Sequence, residues 1–228
     1  MELEQLKKNQ LQDTSKEWQT VTFGQVSNRI TYGFTNPMPH TRDGPWLITA
    51  KDIKNGSINY ETAGKTSWKA FNEELTDKSR PKKGTVLITK DGTLGEVAIV
   101  DKDDICINQS VASIESNEKI LPEFLVLSLQ SPSIKKIIDV TSQSTTIRHI
   151  SITDLAIWKF LLPNITEQKQ IASIISKVYE LIQKKDQIIE QTQIFKKGLM
   201  QRLLTKGIEH TKFKKNRVGR DTRRMANR

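Results

Sequence analysis

Ile165-Thr166-Glu167-Gln168-Lys169-Gln170-Ile171-Ala172-Ser173-Ile174-Ile175, running on without a proline to Thr205, is the stretch that decides how this chain is built. Pro163 precedes it, Thr166 is placed to cap it, Glu167 falls in the expected first turn, and Lys206-Gly207 stops it. Its one internal glycine, Gly198, lies close to the end. Apolar residues recur at Ile171, Ile174, Ile175, Val178, Leu181, Ile182, Ile188, Ile189, Phe195, Leu199 and Leu203, which is the spacing of one helix face and not strand alternation. At 1.5 Å per residue the helix would run roughly 60 Å, more than the width of a small domain. Positions 171, 178, 185, 192 and 199 lie seven apart, a heptad-like pattern in which Lys185 and Thr192 are polar breaks that fix register or partner. Little else in the chain is long enough to cover this stripe. A second copy or another protein is the expected cover, and folding back on its own domain is the alternative.

Composition sets outer bounds. No run approaches the ~20 apolar residues of a membrane span, and Met1 to Gln12 is polar and charged, unlike a signal peptide. The expectation is a cytoplasmic chain with no membrane contact. Cys106, the single cysteine, lies in the apolar run Ile105 to Ile107 and reads as a core residue, which excludes a disulfide framework and a cysteine-based metal site. The net charge of +10 suggests an anionic partner. However, eight lysines and arginines between Lys212 and Arg228 face only Asp221, so +7 of it sits in that tail. The tail lacks apolar periodicity and is expected to be disordered.

Upstream, Met1 to Leu11 reads as a short polar helix, and a globular unit begins near Trp18. Asn36-Pro37-Met38-Pro39 must be loop. Pro45 to Thr49 and Ser57 to Tyr60 are strand candidates around the turn Lys54-Asn55-Gly56-Ser57, and Trp68, Phe71 and Leu75 have the spacing of a short amphipathic helix. Gly84 to Thr89 and Glu96 to Val100 flank Lys90-Asp91-Gly92-Thr93-Leu94-Gly95, a strong hairpin signal. A strand over Asp104 to Ile114 is broken by Asn108-Gln109-Ser110. Helical spacing returns over Pro122 to Gln130 and Ser133 to Ile138. Thr141 to Arg148 reads as a polar loop, Ser151 and Asp154 as a capping box, and Ala156 to Leu162 as a last strand. The fold class is α+β: one β-rich globular domain followed by a long helix.

Catalytic constellations are missing from the sequence. There is no phosphate-binding glycine loop, and His40, His149 and His210 have no ligand spacing, so no metal site is expected. Glu167-Gln168-Lys169 matches the end of a nuclease motif in too few positions, and a helix start explains it. Asn36-Pro37-Met38-Pro39 is only superficially like the loop of amino-methyltransferases, without its aromatic residue. The chain is expected to be non-catalytic.

Several stretches together resemble one family. They are Gly44 to Gly56, Gly84 to Gly95, Ile107-Asn108-Gln109-Ser110, Thr145 to Leu155, and Leu162-Pro163-Asn164-Ile165-Thr166-Glu167-Gln168-Lys169-Gln170-Ile171-Ala172. In this order they are similar to the target-recognition domain and conserved helix of type I restriction-modification specificity subunits, over nearly all of residues 14 to 207. That family usually carries two recognition domains and two such helices, so this chain resembles a half-length form. The resemblance implies a recognition domain over 14–163 and a spacer and dimerisation helix over 164–207, and the residues themselves add a short helical arm over 1–13 and a basic tail over 208–228. It also implies a subunit that reads one half of a bipartite double-stranded DNA site. Its partners would be a second copy, methyltransferase subunits binding S-adenosylmethionine, and a motor nuclease subunit using ATP and Mg; no cofactor is expected on this chain. The alternative is a stand-alone DNA-binding or helical scaffold protein.

Side chains able to meet groove edges or phosphates gather in three polar stretches. They are Lys51 and Lys54 beside one turn, then Lys90, Asp91, Gly92 and Thr93, then Ser144, Thr145, Thr146, Arg148 and His149. Arg29, Tyr32, Lys65 and Lys69 are weaker candidates. The pairing face of the helix is Ile171, Ile174, Ile175, Val178, Leu181, Ile182, Ile188, Ile189, Phe195 and Leu199.

Overall fold

The computed structural model describes residues 18–143, 149–208, 213–216 and 219–222; the expected arm over 1–13 lies outside them. The elements are β1 (Gln19–Thr22), β2 (Ser27–Tyr32), β3 (Trp46–Ile48), β4 (Ile53–Lys54), β5 (Ser57–Ile58), β6 (Gly64–Lys65), β7 (Val86–Thr89), β8 (Val97–Ile99), β9 (Ile105–Ile107), β10 (Val111–Ser116), α1 (Pro122–Leu129), α2 (Pro132–Gln143), α3 (Ile152–Ile157), β11 (Lys159–Leu162), α4 (Ile165–Lys206), β12 (Phe213–Asn216) and β13 (Gly219–Thr222). The chain divides into two compact units, Met1–Ser173 and Ile174–Arg228.

In the first unit the β7–β8 hairpin pairs Val86 with Ile99 and Ile88 with Val97, as the flanking apolar runs suggest. It extends through β10 and β2 into a sheet of order β2-β10-β7-β8. All four residues of β7 are buried, so this strand is covered on both faces. Strand alternation then sorts side chains between two cores. Val86, Ile88, Ala112 and Ile114 enter the larger one, with Phe124, Leu125 and Leu129 of α1, Ile134 and Ile138 of α2 and Leu155 of α3. Leu87, Ala98 and Val111 enter a second core, facing Ile48, Ile105 and Ile107. Those last residues belong to another sheet, β6-β3-β9, in which β3 and β9 run parallel. Its other face puts Leu47 and Cys106 against Met38, Phe71 and Leu75. Cys106 is fully buried, and burial pushes its thiol up to about 12.

The single broken strand expected over Asp104 to Ile114 is thus two strands in different sheets, because Asn108 to Ser110 redirects the chain between them. The run Ala156 to Leu162 also divides: its first two residues close α3, whose cap Ser151 accepts from Thr153 N at 3.2 Å, and the strand starts at Lys159. Thr141 to Gln143 are the last residues of α2 and not loop. Phe71 and Leu75 are buried as expected, but Ala70–Glu74 is a π-type turn and Trp68 is exposed, its ring edge-on to Phe71 at 5.9 Å.

The long helix α4 has 42 residues. Its cap is Asn164, whose Oδ1 accepts from Glu167 N at 3.0 Å, and not Thr166, which already lies inside. Gln168 is fully buried. Its Nε2 donates to Lys119 O and Pro163 O, both at 2.9 Å, and its Oε1 accepts from Leu121 N at 2.9 Å. Beside it Ala172 is buried and Ile171 packs against the main core. In the second unit the stripe is uncovered: Ile174, Val178, Leu181, Ile182, Ile188, Ile189, Phe195 and Leu199 are 43% to 69% exposed. No described helix is long and apolar enough to cross a membrane. Part of the tail departs from the expected disorder, since β12 and β13 pair antiparallel from Phe213↔Thr222 to Asn216↔Gly219.

Replacing Gln168 with leucine strands one amide hydrogen and two carbonyl oxygens in a buried site. We expect a loss of about 3 kcal/mol of unfolding free energy, read by urea denaturation. A loss below about 0.5 kcal/mol would show that these bonds do not hold the helix start.

Candidate nucleic-acid interface

The turn Asn108-Gln109-Ser110-Val111 is closed by Val111 N donating to Asn108 O at 3.1 Å. Asn108 Oδ1 tightens it by accepting from Ser110 N at 3.1 Å and from the Ser110 hydroxyl at 2.6 Å, the local bond that suits asparagine to turns. Ser110 then receives both neighbouring loops. Its Oγ accepts from Ala50 N at 3.0 Å, and its carbonyl accepts from Lys90 N at 2.9 Å and Asp91 N at 3.3 Å. A third segment joins through Ile150 N to Lys90 O at 2.8 Å and a bridge between Asp91 and His149. Three polar stretches far apart in sequence therefore meet around one turn.

Each stretch is stiffened from within. Lys51 is exposed on the 3-10 turn Ala50–Asp52, and the next residue, Asp52, is fully buried. Asp52 Oδ2 accepts from Thr49 N at 2.9 Å and Thr49 Oγ1 at 2.7 Å, and Oδ1 accepts from Thr62 Oγ1 at 2.9 Å. Exposed Lys54 begins the turn between β4 and β5, where Asn55 and Gly56 take φ of 53° and 80°. Asn55 N donates to Glu96 Oε2 at 3.1 Å. Glu96 also closes the base of the 90–95 loop, with Thr89 N donating to its carbonyl at 2.9 Å. Gly95, at φ 80°, seats that loop on α2, because a Cβ there would lie 2.9 Å from Ile138 Cδ1.

Gly92 and Thr93 are exposed at the loop tip, and His149 is exposed beside it. Lys90 is less available than the sequence suggests. Its Nζ pairs with Asp91 Oδ2 at 2.6 Å and lies 5.6 Å from the Tyr32 ring, which Lys78 flanks at 5.5 Å. Ser144, Thr145, Thr146 and Arg148 lie outside the described residues. Of the weaker candidates, Arg29 is paired with Glu115 and Lys65 sits 4.4 Å from the Trp46 ring, while Lys69 is exposed. The Tyr60 phenol hydrogen-bonds Asp101, and burial, then that bond, raises it above the usual phenol range. Sequence reasoning missed Asn108, Ser110 and Asp52, the residues that gather and stiffen the loops. The break of an apolar run by Asn-Gln-Ser was the available signal. Among described residues no His, Cys, Asp and Glu cluster could hold a metal ion.

The arrangement offers exposed ammonium groups, a hydroxyl, an imidazole and glycine backbone on a rigid frame, the groups needed at phosphates and base edges. The family described as "Type I restriction modification DNA specificity domain" matches residues 15–192. The chain belongs to this family of type I specificity domains. It is 28% identical over 224 residues to a protein assigned as the type I restriction enzyme MjaX specificity subunit of Methanocaldococcus jannaschii, covering 95% of this chain and 52% of that one. To the type I restriction enzyme EcoBI specificity subunit of Escherichia coli it is 27% identical, over 72% of this chain and 35% of the relative. The chain therefore spans about half or less of the curated relatives it matches. The fold is that of the type I S subunit from M. genitalium, with TM-score 0.57 at 22% identity over 82% of this chain and 45% of that one. The subunit from Thermoanaerobacter tengcongensis gives TM-score 0.53 at 17% identity, over 78% of this chain and 40% of that one.

In this specificity domain, Ser110→Ala removes the acceptor for Ala50 N–H and the donor to Asn108. A cost of about 1 to 2 kcal/mol is expected, with faster amide exchange at Ala50 than at core amides such as Leu87. Unchanged exchange at Ala50 would contradict the tethering role.

Proposed function

We propose that this chain is the non-catalytic DNA-recognition subunit of a type I restriction-modification complex, reading one half of a bipartite duplex site. Lys51, Lys54, Thr93 and His149 contact the duplex. The lysines supply phosphate contacts that set register, and loop side chains meet base edges. Ser144, Thr145, Thr146 and Arg148, which lie outside the described residues, are further DNA contacts in this reading, and Lys90 and Asp91 act as a pair. The chain docks methyltransferase subunits that bind S-adenosylmethionine, and a motor nuclease using ATP and Mg joins the same complex in the cytoplasm.

The helix pairs with a second copy of itself. The observation that carries this is the stripe from Ile174 to Leu199, 43% to 69% exposed at eight apolar positions. A heptad-like face of this kind is stable only when another helix covers it. Two copies place identical readers on a two-fold axis, so the two half-sites are two-fold related.

Light scattering on the full chain at micromolar concentration should return twice its 26.0 kDa mass. Leu181→Asp combined with Ile188→Asp should return one mass, since each carboxylate would be desolvated in the seam. A wild-type monomer under these conditions, with no partner supplied, overturns the self-pairing.

A further inference from the structure

The loops at Ala50 and at Lys90-Asp91 are tied to the Asn108–Val111 turn, yet the residue at its tip has no assigned part. Gln109 holds the second position of that turn, between Asn108 and Ser110, whose side chains are bonded to each other. Its own N–H donates to Phe34 O at 2.8 Å. Its side chain, in contrast, is exposed and makes no hydrogen bond to any described residue. The turn below it is held by backbone bonds to Phe34, Lys90 and Asp91 and by the bond of Ala50 N–H to the Ser110 hydroxyl.

A primary carboxamide offers one donor and one acceptor side by side, the pattern that matches N6 and N7 of adenine in the major groove. Mounted on a flexible loop, such a group would lose much of its gain to ordering; mounted on a pinned turn, only its own side-chain rotations are lost. Lys51 and Thr93, on loops that bond to the same turn, are exposed and can meet phosphates, and the Lys90–Asp91 pair keeps the adjacent carboxylate from repelling the duplex. We propose that Gln109 is a specificity-determining residue that reads an adenine edge within the half-site. This rests on the DNA-reading function proposed above.

The test uses the full chain assembled with its methyltransferase subunits, presented with a random duplex library. Wild type is expected to enrich one motif. Gln109→Ala should lose preference at one A·T position of that motif, bind the wild-type-selected duplex about tenfold or more weakly, and bind a scrambled duplex as before. Gln109→Glu, an acceptor-only side chain, should move the preference at that position towards cytosine. Because the residue is exposed, melting temperature should be the same in all three proteins. An unchanged motif and affinity in Gln109→Ala would overturn this inference while leaving the DNA-reading function intact. Equal weakening on selected and scrambled duplexes, with a shallower salt dependence, would also overturn it and make Gln109 a phosphate contact. A wild-type complex that enriches nothing refutes the DNA-reading function itself, and this inference falls with it.

Discussion

A buried glutamine amide with both hydrogens and its oxygen engaged fixes where the long helix begins. Gln168 bonds to Lys119 O, Pro163 O and Leu121 N, so the first turn of α4, the strand exit at Pro163 and the approach to α1 share one side chain. Apolar contact alone would allow the helix to rotate or slide at its start, because burial is non-directional. Three directional bonds in a dry site do not allow this, and Ile171 and Ala172 complete the seat. From Ile174 onward the apolar stripe is uncovered, and the same helix changes from a core element to an exposed apolar face.

The candidate reading face depends on a different constraint, the passage of the chain between two sheets. β9 pairs with β3 and β10 pairs with β2 and β7, so the three residues between them carry a turn at the edge of both. Backbone groups there are satisfied outside the two ladders, Gln109 N–H by Phe34 O and the Ser110 carbonyl by Lys90 N and Asp91 N, while the Ser110 hydroxyl takes Ala50 N–H. The polar groups that the sheets leave over thereby gather loops from residues 50, 90 and 150 into one surface. A core packed on both faces of β7 keeps that surface rigid.

Much of this was legible in the chain itself. The length of α4 follows from apolar spacing between Pro163 and Gly207, and the β7–β8 hairpin follows from two apolar runs around Asp-Gly and a second glycine. Local signals, however, do not reveal pairing at a distance. The parallel β3–β9 pair and the Asp91–His149 bridge join residues dozens of positions apart, and no periodicity records that. Nothing local marks Gln168 and Asp52 for burial, because that burial comes from neighbours elsewhere in the chain. Lys90 reads as a free cation because nothing local shows that Tyr32 lies beneath it. Ile171 fits the heptad pattern, yet it serves the domain core before the pairing face. Asn164 took the cap over Thr166 because its carboxamide reaches the third amide of the helix.

The proposed recognition by one domain per chain, doubled through a shared helix, would leave a signature in the DNA. Mapping adenine methylation across DNA from cells that express this chain with its methyltransferase subunits reads that signature directly. The account predicts a bipartite motif whose halves are inverted copies of each other at one fixed spacing. A motif with two unlike halves, or with no second half, would contradict it.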